Sequence, residues 1–197
     1  MSMRATVVLG ILTLLAMAAC RPEPGYRDTD WQDETGPAAS ECERWLGYAE
    51  DAASSYDLEV ALIMGVMRVE SGFREDAESS AGAVGLMQVM PSTGEHFGCD
   101  DLSDGESNVR CGARVLADYL QRLDGDVEYG LAAYNAGIGN AQRWKRAGEP
   151  PANVQYVRRV LQYRDRFERE GCAGLAADSR KWEVKSRSSL SVSGDDE

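Results

Sequence analysis

Apolar residues along this chain recur at helical rather than alternating spacing. Ala61-Leu62-Ile63-Met64-Gly65-Val66-Met67 is apolar around its whole circumference and predicts a buried helix through Val69, with Asp57 as its N-cap. A buried strand competes for so short a run, but twelve residues rich in Ala, Leu and Met favour helix. A second helix is predicted over 106–123, where Val109, Ala113, Leu116, Leu120 and Leu123 fall on one stripe. Shorter helices follow over 127–135 and 138–147, the first ended by Gly137, and a last one over 153–170. Strand patterning of useful length is missing, so the fold class is mainly α, with at most a small β-hairpin near 81–89.

The two ends read differently. Arg4 precedes an apolar run from Ala5 to Ala19 that as a helix would span roughly 22 Å, short of a hydrocarbon core of about 30 Å. Residues 1–19 therefore read as an export signal. The run closes Met17-Ala18-Ala19-Cys20, which resembles the site at which bacterial lipoproteins are cleaved and acylated, and predicts a lipid anchor on Cys20. Ordinary cleavage near Ala19, with Cys20 a structural thiol, is the alternative, since Met17 stands where lipoproteins usually have Leu. Arg21 rather than Asp after the cysteine resembles outer-membrane sorting. Residues 20–40 hold Pro22, Pro24, Gly25, Gly36 and Pro37 among acidic residues and read as a tether. Residues 41–172 form the folded domain, and 173–197, rich in Ser and charge, a disordered tail.

Composition then narrows the chemistry. The 197 residues carry a formal charge of −12, and removing the leader leaves 20 basic against 33 acidic residues, a charge of −13. With no basic cluster, binding nucleic acid or anionic lipid through charge is disfavoured. One histidine, His96, and no close Cys or His pairs leave little from which to build a zinc site, and a glycine-rich phosphate loop is missing; no metal or cofactor is expected. His96 itself reads as a solvated surface residue. If Cys20 carries lipid, Cys42, Cys99, Cys111 and Cys172 remain, with three pairings open in an oxidising compartment. Cys99–Cys111 and Cys42–Cys172 are favoured, the first closing a short connection and the second tying together the ends of the folded unit.

The chemical signal begins where the buried helix ends. Glu70 stands at the C-terminus of an apolar helix, where desolvation and the negative end of the helix dipole both disfavour ionisation. A carboxyl held protonated near neutral pH is what a general acid needs to protonate a leaving oxygen. On composition alone, a glutamate facing water at a helix end remains the competing reading.

The string that follows changes the weighting. Glu70-Ser71-Gly72-Phe73, then Ala81-Gly82-Ala83-Val84-Gly85-Leu86-Met87-Gln88-Val89-Met90-Pro91, then Asn108 and Gly112, then Ala132-Ala133-Tyr134-Asn135-Ala136-Gly137 resembles the lysozyme-like domain of the soluble-type lytic transglycosylases, in order and spacing, over 56–167. The resemblance implies that Glu70 is acid and then base, cleaving the bond between N-acetylmuramic acid and N-acetylglucosamine of peptidoglycan and leaving a 1,6-anhydro sugar without consuming water. It implies that Ser71 orients the reacting sugar, that Tyr134 hydrogen-bonds the catalytic carboxyl, that Asn135 lines the cleft, and that Gln88 with Met87 contacts substrate. Gly82 and Gly85 read as turns, Phe73 and Leu86 as packing.

One departure stands out. Family members commonly carry an acidic residue and a threonine shortly before the Tyr-Val of the last helix, whereas this chain reads Ala152-Asn153 ahead of Tyr156-Val157, which bears on a contact at the cleft floor. A hydrolytic lysozyme and a non-catalytic glycan-binding or envelope-assembly protein remain as alternatives. The partners implied are glycan strands and, through Cys20, a membrane on the periplasmic side of the envelope.

Overall fold

The computed structural model describes residues 39–176, and among these the architecture is all helical. Seven helices follow in order: α1 (Ala39–Tyr56), α2 (Val60–Glu70), α3 (Pro91–Phe97), α4 (Gly105–Arg122), α5 (Val127–Ala136), α6 (Ile138–Ala147) and α7 (Val154–Ala176). The leader, Cys20 and most of the tether and tail lie outside the described residues.

At the centre is α2, buried from Ala61 through Val69 as its all-round apolar pattern requires. Its main partner is α7, with α1 on another side. The α2–α7 crossing is close because of Gly65: a Cβ there would stand 2.8 Å from the Val160 carbonyl oxygen and 3.1 Å from the Arg164 nitrogen. Residue Asp57 does not cap α2. It lies in the left-handed region (φ 54°) and closes α1, with the Leu58 N–H bonded to the Ala53 carbonyl at 3.0 Å. Helix α2 starts three residues later, after an extended Glu59 that makes no side-chain cap.

Helix α1 has no counterpart among the helices read from the sequence. Its buried stripe is Cys42, Trp45, Ala49, Ala52 and Ala53, correctly spaced for a helix but mostly small residues set among acidic ones. Helices α4, α5 and α6 fall within one residue of expectation. Asp104 accepts a hydrogen bond from the Ser107 N–H at 2.9 Å and Asp126 one from the Tyr129 N–H, so both starts are properly capped. On α4, Val109, Ala113, Leu116 and Leu123 just beyond it are fully buried and Leu120 partly so.

Two other expectations change. No hairpin forms at 81–89; only the isolated bridges Glu78–Val84 and Val84–Val89 appear, because Gly82, Gly85 and Gln88 all take positive φ and bend the backbone before a ladder extends. The last helix does not stop at Glu170. It kinks at Gly171 (φ 58°, ψ −150°) and continues to Ala176, burying Leu175, whose carbonyl accepts from the Arg68 Nε at 3.4 Å. Four residues assigned to the tail thus belong to the fold. The disulfides are Cys42–Cys172, joining α1 to α7 with Cα atoms 5.5 Å apart, and Cys99–Cys111, joining the α3–α4 connection to α4 at 5.8 Å.

Candidate active site

Glu70 is the last residue of α2, and the chain turns sharply behind it. Gly72 and Phe73 both take left-handed φ (61° and 69°), and Phe73 is held there by burial. Ser71 fixes the turn: its hydroxyl accepts from the Phe73 N–H at 3.1 Å and donates to the Leu86 carbonyl at 2.8 Å. With 4% of its surface exposed, Ser71 has its hydroxyl committed to the backbone of this turn. The reason is local, since a serine after a helix end satisfies the freed backbone groups there.

The segment behind Leu86 is clamped by Asn108. Its side chain accepts from the Met87 N–H (2.9 Å) and donates to the carbonyls of Val84 (2.9 Å) and Leu102 (2.8 Å), all from a fully buried position on α4. A Cβ on Gly85 would meet this amide at 2.3 Å, and one on Gly112 would meet the Met87 sulfur at 2.5 Å and the Tyr134 hydroxyl at 2.8 Å. The glycines at 85 and 112 are therefore there for close packing beneath the loop. Met87 is completely buried on Gly112, so its side chain supports the loop from beneath.

Gln88 is partly exposed and adopts φ 47°. Its Nε2 donates to the carbonyls of Ala77 and Gly85, both at 3.0 Å, while its Oε1 is buried with no protein partner among the described residues. The amide thus braces the loop from a partly exposed position.

Tyr134 is beside Glu70 but does not bond it. Its hydroxyl donates to the Met87 carbonyl at 2.8 Å, and its acidity is strongly suppressed by burial and then by the charge of Glu70. The phenol that does hold the acid is Tyr156, on the first turns of α7, whose hydroxyl donates to Glu70 Oε1 at 2.6 Å. The sequence reading quoted Tyr156 only as a landmark of the last helix. Asn135 accepts at Oδ1 from the Asn153 Nδ2 at 2.8 Å, and Asn153, buried, also donates to the Ala132 carbonyl at 3.2 Å. The departure at Ala152-Asn153 therefore divides: Ala152 is exposed, whereas Asn153 orients Asn135 through its Oδ1, with no hydrogen bond from the Asn135 Nδ2 among the described residues.

The electrostatics converge on one group. Burial pushes the Glu70 carboxyl up to about 7 from 4.5, against the opposing pull of the Tyr156 hydrogen bond and the Arg159 guanidinium. The site is thus a single glutamate at the end of a buried helix, poised to hold or release a proton near neutrality, under a glycine-packed loop and beside two tyrosines.

The helices and the buried acid together define an all-helical, lysozyme-like domain. Residues 47–154 match the transglycosylase SLT domain family, more than half of the chain, and the chain belongs to that family. It is 33% identical over 111 residues to the transglycosylase of Enterobacteria phage PRD1, covering 56% of this chain and 42% of that protein. To the soluble lytic murein transglycosylase of Salmonella typhimurium it is 32% identical over 98 residues, 45% of this chain and 15% of the other. Among solved structures, the 70 kDa soluble lytic transglycosylase of Escherichia coli superposes with a TM-score of 0.58 at 26% identity, over 68% of this chain and 26% of that one. An inactive mutant of the lytic transglycosylase Slt from Pseudomonas aeruginosa gives 0.53 at 31%, over 60% and 23%. The chain spans less than half the length of each of these relatives.

Proposed function

We propose that this protein is a peptidoglycan lytic transglycosylase in which Glu70 acts as both acid and base. Protonated Glu70 delivers its proton to the glycosidic oxygen between N-acetylmuramic acid and N-acetylglucosamine as the bond to C1 breaks. The resulting carboxylate then takes the proton of the muramoyl C6 hydroxyl as that oxygen closes onto C1. Atoms balance without water, so one carboxylate suffices where hydrolytic glycosidases use a second. The observation that carries this reading is the Glu70 carboxyl itself, raised to about 7 by burial and bonded by Tyr156. An ordinary glutamate would be fully ionised at that pH and unable to begin the reaction.

Around the acid, Tyr156 supports the carboxylate formed midway, and the partly exposed side chains of Gln88 and Asn135 contact sugar hydroxyl and acetamido groups. The names of the relatives, which include lytic murein transglycosylases, agree with this substrate.

Mass spectrometry of fragments released from purified peptidoglycan by the domain from Glu41 onward tests the proposal, with Glu70→Gln as control. Products one water lighter than hydrolytic ones, made only by the wild type, are expected. Full-mass reducing ends would make the protein a lysozyme, and no release by either would leave a binding or assembly role.

The proposal extends to the envelope. Lipid on Cys20 would hold the domain at the periplasmic face of the outer membrane, concentrating an acidic protein near an anionic wall that does not attract it through charge. Among the described residues no helix is long and apolar enough to cross a membrane. Cys20→Ala should move the protein from the membrane to the soluble fraction; a variant that stays membrane-bound would overturn the anchor.

A further inference from the structure

Helix α4 passes beneath the site, and its face continues beyond it. Gly112 on that face is packed by Met87 and the Tyr134 hydroxyl. Tyr119 is seven residues further on, which returns to within about 20° of the same direction and lies roughly 10 Å along the axis. There it meets Phe97, the last residue of α3, edge to face with centroids 6.2 Å apart and planes at 75°. His96, exposed, continues the series against Phe97 at 5.2 Å and 81°. Phe97 and Tyr119 are both partly exposed, and an edge-to-face pair leaves each ring a face its partner does not cover. The pair is rigidly placed: Gly98 ends α3 in the left-handed region and Cys99, next in line, is bonded to Cys111 of α4.

We propose that Phe97 and Tyr119 form a further subsite that takes a pyranose ring of the same glycan strand, on the α3–α4 side of the site that holds Glu70. This rests on the reading of the site as one that cleaves glycans. A pyranose presents polarised C–H bonds on its faces, which suit the negative face of an aromatic ring, and hydroxyls at its rim. Burial raises the Tyr119 hydroxyl above its ordinary range, so it remains a neutral donor for such a rim. The same face of α4 meets Met87 and the Tyr134 hydroxyl at Gly112, which joins it to the site that holds Glu70. Two rings that served only to pack α3 onto α4 would have no dependence on how far a substrate extends.

That difference is the test. Phe97→Leu and Tyr119→Leu keep apolar bulk and remove the ring. For each, the ratio of kcat/KM on an octasaccharide to that on a tetrasaccharide of alternating N-acetylglucosamine and N-acetylmuramic acid is measured, so that any general loss of folded protein cancels. The same ratio is taken for equilibrium binding in the Glu70→Gln background. A fall of roughly threefold to tenfold in the ratio, the range one aromatic contact carries, is expected. Unchanged ratios in both measurements would overturn the subsite and leave the rings as packing. If the wild type cleaves neither oligomer, the proposed activity fails instead, and the binding ratio still decides the subsite.

Discussion

At the scale of single residues, the pH response of this protein should be dominated by Glu70. Its carboxyl ionises at about 7 when folded and at 4.5 otherwise, so between those values the folded state keeps a proton that the unfolded chain has lost. Stability therefore falls as pH rises through that window, by about 3 kcal/mol in all. Glu70→Gln lacks the titration and should be more stable than the wild type at pH 8 than at pH 4.5, by about that difference, in paired urea unfolding. It should also abolish cleavage. Tyr156→Phe removes a hydrogen bond that favours the carboxylate, so the acid rises further. The alkaline limb of the pH–rate profile should move to higher pH while kcat falls, because the second step loses its support; a limb that moves down would contradict this assignment. The raised carboxyl of Glu70 was legible because an apolar helix and a helix C-terminus coincide at one position. Its phenol partner was not, since 86 residues separate Tyr156 from Glu70 and only the α2–α7 crossing brings them together. The burial of Ser71 and Met87 was not legible either, since a motif lists neighbours in sequence, not which of them the turn faces inward.

At the scale of elements, legibility followed the apolar stripe and the terminating glycine. Helix α4 carries such a stripe and α5 ends at Gly137, and both were found together with α6, whereas their aspartate caps at Asp104 and Asp126 went unread. Helix α1 lacked a large apolar stripe, and the turn from α1 to α2 hinges on Asp57 in a conformation no pattern announces. The close crossings depend instead on glycines. Gly65→Ala would drive a Cβ against the backbone of α7, which cannot yield as a side chain can, and should cost about 1–3 kcal/mol of stability in denaturant melts. Gly112→Ala meets the side chains of Met87 and Tyr134, which can move. Its stability loss should be the smaller of the two, but the displaced loop carries Gln88, so KM for glycan should rise. An unaltered KM would mean that this loop tolerates displacement without loss of substrate contact.

At the scale of the whole molecule, the two disulfides divide two tasks. Cys42–Cys172 spans 130 positions and closes nearly the entire fold, whereas Cys99–Cys111 spans 12. If crosslinks act by restricting the unfolded chain, their removal should cost about 5 and about 3 kcal/mol respectively. Distance from the acid predicts the reverse order for activity. Cys172 lies sixteen residues beyond Tyr156 on α7, roughly 24 Å along a helix, and joins ends that no proposed step involves. Cys99 follows the last turn of α3, the wall that carries Phe97, and bonds it to the same helix that supports Met87. Cys42→Ser with Cys172→Ser should therefore lower the unfolding midpoint most while leaving kcat/KM near that of the wild type. Cys99→Ser with Cys111→Ser should lower the midpoint less but reduce kcat/KM on long glycans. Both pairs are compared at a temperature where circular dichroism shows each protein folded. Equal losses of activity would mean that the crosslinks act only through global stability, and the wall would then need no covalent support to hold its shape.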